Sequence, residues 1–173
     1  MSRWHLLLVA SAVVALVLAS GAMAEAGQRL GAGVHYWKTL DKIKVKDVDE
    51  NGLSWIVSYQ YAPSPLIKLQ SDLEIFPAHF AGADHPIFAP NAFILAGGTV
   101  YAGLGIGIFY DNGNFSDNPF YALRAGIDLE LLPSLYLDIN ANYHWESWEG
   151  LGKAVRGIDM HTITLGAAVR LAF

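Results

Sequence analysis

From Arg29 to Phe173 the chain alternates apolar with small or polar residues in short, repeated segments. Successive side chains of an extended strand point to opposite faces, so a period of two marks a β-strand. The clearest segment is Leu66 to Phe76, where Ile67, Leu69, Leu73 and Ile75 oppose Lys68, Gln70, Asp72 and Glu74. In Phe120 to Leu131, Leu123, Ile127 and Leu129 oppose Arg124, Gly126, Asp128 and Glu130. In Leu135 to Glu146, Leu137, Ile139 and Tyr143 oppose Asp138, Asn140 and His144. Val100 to Tyr110, Arg29 to Lys38, Leu53 to Tyr61 and Met160 to Phe173 repeat the pattern. Asn91 to Ala96 is the least regular, because Phe93, Ile94 and Leu95 are consecutive. Eight strands are predicted.

The connections alternate in length. Ala62-Pro63-Ser64-Pro65, Gly97-Gly98-Thr99 and Leu132-Pro133-Ser134 are short and carry the Pro or Gly that tight turns use. Thr39 to Gly52, Pro77 to Ala89, Asp111 to Pro119 and Ser147 to Asp159 are longer and polar. Short turns at one end and long loops at the other predict an antiparallel up-and-down barrel with both chain ends on the short-turn side.

Ahead of the strands, Arg3 precedes a run from Leu6 to Leu18 that is apolar apart from Ser11, and Ala22-Met23-Ala24 follows. Basic start, short apolar core and small-x-small exit are the parts of a secretory signal peptide. The run is shorter than the roughly 20 residues of a membrane-spanning helix. Residues 1–24 are therefore expected to be a cleaved signal, and 25–173 a single barrel domain.

With Arg3 set aside from its 11 Lys+Arg, the chain remains outnumbered by 16 Asp+Glu, so a concentrated basic surface for nucleic acid is not expected. It has no cysteine and hence no disulfide framework. The hydrophobic fraction is 53%, high for a soluble domain, and the apolar face of the barrel is where this excess must go.

Alternation fits either a lipocalin-like soluble barrel with a greasy interior or a membrane barrel with a greasy exterior. Three features favour lipid outside. The non-apolar face carries Gly31, Gly33, Gly103, Gly105, Gly107, Gly126 and Gly166, which suit a crowded eight-stranded interior. On the apolar face, Tyr36, Trp55, Tyr121, Tyr143 and Trp145 lie toward the long loops, while Tyr59, Tyr61 and Phe173 lie toward the short turns. Paired aromatic girdles belong to lipid-facing barrels. Strands of about 10 residues tilted near 45° also match the hydrocarbon thickness of a bilayer. The interior then holds Arg29, Lys68, Arg124 and Arg170 among Asp72, Glu74, Asp128, Glu130 and Asp138. Such buried charges need partners. The turn at Leu132 to Ser134 sets Asp128 opposite Asp138, with Arg170 on the last strand as the candidate cation. Eight strands with a filled lumen leave no continuous aqueous channel.

On these residues the chain resembles the small eight-stranded outer-membrane barrel superfamily typified by OmpX and the membrane domain of OmpA. The resemblance is carried by Ala22-Met23-Ala24, the first strand Leu30-Gly31-Ala32-Gly33-Val34, and the ending Leu165-Gly166-Ala167-Ala168-Val169-Arg170-Leu171-Ala172-Phe173. It implies a transmembrane β-barrel in the cell outer membrane, reached through the periplasm. It implies contact with outer-membrane lipid and lipopolysaccharide, and handling by the outer-membrane assembly machinery, which reads the terminal aromatic of the last strand. A monomer without cofactor is expected, and no wall-binding domain of the OmpA kind is expected after Phe173.

Other candidate chemistry is thin. Asp47-Val48-Asp49-Glu50-Asn51-Gly52 opens like a calcium loop, but the twelfth position is Ser58, where a bidentate glutamate belongs. His79, Asp84 and His85 offer metal ligands without an evident fourth. His161, Ser147 and Glu149 have the parity for a nucleophile set facing outward. The His-x-Ser spacing of lipid A deacylase barrels is missing, however: His144-Trp145-Glu146-Ser147 has the wrong spacing. Asp41, Lys42, Lys44, Lys46, Asp47, Asp49 and Glu50 make a mixed charge run in the first long loop. The expectation is a non-enzymatic barrel, structural or surface-interacting. A soluble ligand-binding barrel and a lipid A-modifying enzyme are the alternatives.

Overall fold

The computed structural model describes residues 27–40, 49–147 and 159–173. The signal segment, most of the first loop's charge run, and Glu149 lie outside the described residues. Ten strands follow in order: β1 (Gly27–Thr39), β2 (Asn51–Ser64), β3 (Ile67–Phe76), β4 (Ile87–Gly97), β5 (Val100–Gly107), β6 (Tyr110–Asp111), β7 (Asn114–Phe115), β8 (Phe120–Leu132), β9 (Leu135–Ser147) and β10 (Asp159–Ala172). The eight long strands pair antiparallel with their neighbours, β3 with β4 included, and β1 pairs with β10 from Arg29–Ala172 to Thr39–Thr162. The sheet is closed. No backbone edge is left for solvent or lipid, which a membrane-spanning sheet requires.

The three short turns hold the register through backbone bonds. Gly97 donates to the Leu66 carbonyl at 2.8 Å, Asp128 to Thr99 at 2.7 Å, and Ala172 to Ser134 at 2.8 Å. Gly97 (φ 124°) takes a left-handed conformation that side chains resist, which is why the β4–β5 hairpin turns there.

Side chains divide by parity as the alternation predicts. Leu69, Leu123 and Ile127 stand on the exterior, while Asp72, Arg124 and Asp138 are buried. Ile127, in the middle of β8, keeps 43% of its surface exposed, and Trp55 keeps 67%. In water that exterior would be an apolar patch far beyond what soluble monomers show. A lipocalin-like arrangement, with Leu and Ile lining a cavity, does not form. The irregular Phe93-Ile94-Leu95 run resolves with Phe93 and Leu95 inside and Ile94 outside.

Two segments depart from expectation. β5 stops at Gly107 instead of reaching Tyr110, and β4 begins at Ile87. Beyond Gly107 the chain leaves the wall: Phe109 turns into the barrel mouth, and Tyr110 pairs with Phe88 and starts the small β6–β7 hairpin. The loop after β3 is also not a plain hydrated connection. Its single 3-10 turn, Phe80–Gly82, folds inward with Phe80 and Ala81 fully buried. Left-handed backbone at His79 (φ 73°), Ala81 (φ 52°) and Gly82 (φ 74°) makes the tight reversal.

Candidate functional site: the barrel lumen

Each inward position on a strand stacks above the last, so the lumen is built in layers. Nearest the short turns, Lys68 on β3 donates to Asp128 and to the Gly98 carbonyl, both at 2.8 Å. Arg29 on β1 pairs with the same Asp128 oxygen, and its guanidinium lies 3.5 Å from the Tyr136 ring centroid.

Above this, Arg170 on β10 donates to Asp138 at 2.6 Å, to Gln70 at 3.2 Å and to Ser58 at 3.3 Å. The Tyr101 hydroxyl donates to the same Asp138 oxygen at 2.5 Å, and Asn140 donates to the other at 2.5 Å. Across the lumen Arg124 donates to Asp72 at 2.6 Å and to Asn142, and lies 3.8 Å from the Phe93 ring centroid. Gln70 completes Asp72 at 2.8 Å, and Asn142 passes the chain on to Thr164 at 2.6 Å. Four cations and four carboxylates, Glu74 included, thus share the described interior. This matching offsets the cost of holding charge away from water.

Toward the long loops, Glu74 accepts from Ser54 at 2.5 Å and sits 3.1 Å from His35 Nδ1. A plug of aromatic rings lies above that. Phe80 stacks on Phe76 at 4.0 Å between centroids and meets Trp37 edge-on at 4.9 Å. Phe109 packs on Phe120 at 4.7 Å. Ile87, Ala83 and Ala89 fill the same buried cluster.

Interior glycines make room for these large side chains. A Cβ on Gly166 would stand 1.8 Å from the His35 ring, and His35 is the residue paired with Gly166 across β1–β10. Gly126 bears the same relation to Tyr101, and Gly105 to Phe93. The ring of one strand lies over the bare backbone of the next.

Of the nine interior charges proposed from sequence, eight lie in these layers. Glu130 does not. It is exposed at the turn end of β8, where pairing shifts register between Glu130 and Leu132 and the strand leaves the lumen. Of the girdle residues, Tyr36, Trp55, Tyr121, Trp145 and Phe173 are exposed on the exterior, and Tyr59, Tyr61 and Tyr143 are half-buried. The aromatic plug and the His35–Glu74–Ser54 cluster were missed. The signal was there: Trp37, Phe76, Phe109 and Phe120 all occupy inward parity.

The alternative metal site does not assemble among the described residues. His85 pairs with Asp111 rather than with His79, and no group of three metal-type ligands occurs among the described residues. Gly52 and Ser58, the last positions of the calcium-like motif, lie in β2. His161 Nδ1 is 2.9 Å from the Tyr143 hydroxyl; of its proposed partners, the Ser147 side chain and Glu149 fall outside what is described.

No protein-family model matches the chain, and no curated protein sequence does either. Solved structures do. Neisserial surface protein A aligns with a TM-score of 0.58 at 17% identity, covering 86% of this chain and 97% of that one. The outer membrane protein OprG from Pseudomonas aeruginosa aligns at 0.48 and 13%, covering 84% and 95%. Ail from Yersinia pestis aligns at 0.45 and 13%, covering 83% and 99%.

The fold is that of a small outer-membrane β-barrel.

The first of these likenesses carries that statement. With closed edges and an apolar exterior, this barrel is a transmembrane one, of the kind found in bacterial outer membranes.

Proposed function

We propose that the chain is a non-enzymatic, integral outer-membrane protein whose closed barrel serves as a rigid stand for its long loops, in a structural or surface-interacting role. Export through the signal at 1–24 and insertion through the terminal strand ending in Phe173 belong to this reading, as do a monomeric state and contact with lipopolysaccharide. One observation carries it: layers of buried ion pairs occupy the described lumen, with an aromatic plug above them. A filled eight-stranded barrel has no continuous path for water or ions. Only the loops and the rim are then left to meet anything outside.

The test is conductance across a planar bilayer holding the purified, folded protein. The wild-type barrel is expected to show no discrete openings. Sustained ion-conducting steps would replace this reading with that of a channel.

A further inference from the structure

Away from the short-turn end, where Glu130 is exposed, the exterior side chains described on the eight long strands include one charged residue and one histidine: Lys38 on β1 and His161 on β10. Both sit at the long-loop rim, on the seam where the first and last strands meet. Lys38 is paired with Ile163, and the Leu40 amide donates to the His161 carbonyl at 2.8 Å. The two side chains are thus diagonal neighbours on the same face, a spacing of about 7–8 Å.

Lys38 lies between buried Trp37 and buried Thr39, so its stem points outward. Tyr36 and Leu40, one step below and above it on the same face, are both exposed apolar side chains. No carboxylate forms an ion pair with Lys38 among the described residues. A cation on a lipid-facing surface is costly unless it reaches the interface and finds an anion there. His161 is fixed beside it. Its Nδ1 is 2.9 Å from the Tyr143 hydroxyl, the two rings stack at 5.7 Å, and Trp145 meets Tyr143 edge-on at 4.8 Å. A lysine alone at this depth would only snorkel. A lysine next to an oriented histidine–tyrosine pair is a preformed place for a tetrahedral anion.

We propose that Lys38, His161 and Tyr143 form a binding site for the phosphate of an anionic lipid headgroup in the leaflet at the long-loop rim, its acyl chains lying along Ile163 and Leu165. This rests on the membrane-barrel reading.

The test uses the folded chain in nanodiscs of phosphatidylcholine with a minor fraction of phosphatidylglycerol, with retained lipids identified by native mass spectrometry. Wild type is expected to retain phosphatidylglycerol preferentially. Lys38→Gln is expected to weaken that preference about fivefold, the effect of one cation at a membrane surface, and Lys38→Gln with His161→Ala to abolish it. Equal retention of both lipids by wild type, or an undiminished preference in Lys38→Gln, overturns the site. So does displacement of the lipid by inorganic phosphate alone, which would make the ligand a free anion. Heat-modifiable gel mobility separates the levels of failure. A folded barrel without lipid preference sinks only this site, whereas a chain that never folds in the bilayer sinks the barrel reading as well.

Discussion

Asp128 stands directly opposite Asp138 across the β8–β9 pair, yet the two carboxylates are neutralised from different sides of the lumen. Arg170 lies 2.6 Å from Asp138 and 3.9 Å from Asp128. Asp128 takes its main partners, Arg29 and Lys68, from β1 and β3. The arrangement ties five strands together through side chains, in addition to their backbone ladders.

Arg170→Ala removes the cation while leaving Asp138 fully buried. An uncompensated buried charge costs about 3–5 kcal/mol. Urea unfolding of the barrel in lipid vesicles is expected to shift by that amount, and Asp138→Asn in the same background should recover part of it. An unchanged midpoint for Arg170→Ala would mean the pair contributes nothing.

The ring-over-glycine packing makes a sharper test. Gly166→Ala places a methyl group in the His35 ring, an overpacking worth about 1–3 kcal/mol. All the nearest atoms at that position belong to the His35 side chain. In a His35→Ala background the cost of Gly166→Ala should therefore largely vanish, giving a coupling of about 0.5–3 kcal/mol. Additive losses in the double mutant would exclude the contact.

Depth on the outside can be read with arginine. Ile127→Arg, at the middle of β8, is expected to cost about 2–4 kcal/mol, and Tyr121→Arg, near the rim, about 0–1 kcal/mol. Vesicle unfolding measures both. Equal costs would argue that the exterior does not face hydrocarbon.

Phe80→Ala should destabilise the barrel by about 3–5 kcal/mol, because its ring is fully buried against Phe76 and Trp37. Conductance is nevertheless expected to stay absent, since the ion-pair layers beneath still fill the lumen. Appearance of steady current in this variant alone would show that the plug, and not the charged layers, does the closing.

The barrel wall was legible because one face is apolar and a slip of one residue would turn it inside out. Where two faces look alike, the chain's own order says less. Phe93, Ile94 and Leu95 each suit either side, and what decides is remote: Phe93 finds the bare backbone of Gly105 and the Arg124 guanidinium. Likewise, nothing near Phe80 announces that its loop dives inward. That depends on left-handed turns at His79 and Ala81 and on an aromatic pocket assembled from β1, β3 and β8. Glu130 shows the opposite failure: its parity is right, but it lies past the last β5–β8 pair, Val100–Ile127, beyond the end of the lumen.

The pairing of β1 with β10 runs unbroken from Thr39–Thr162 to Arg29–Ala172, and at its foot the Phe173 amide reaches the Gln28 carbonyl at 3.0 Å. A hoop fastened this way has no loose stave from which to be dismantled. Losing any one hairpin would strand backbone groups on two neighbours at once, in a medium that offers them nothing. The molecule is therefore expected to enter and leave its folded state in one piece, and its earliest strand stays unfinished until the last one arrives.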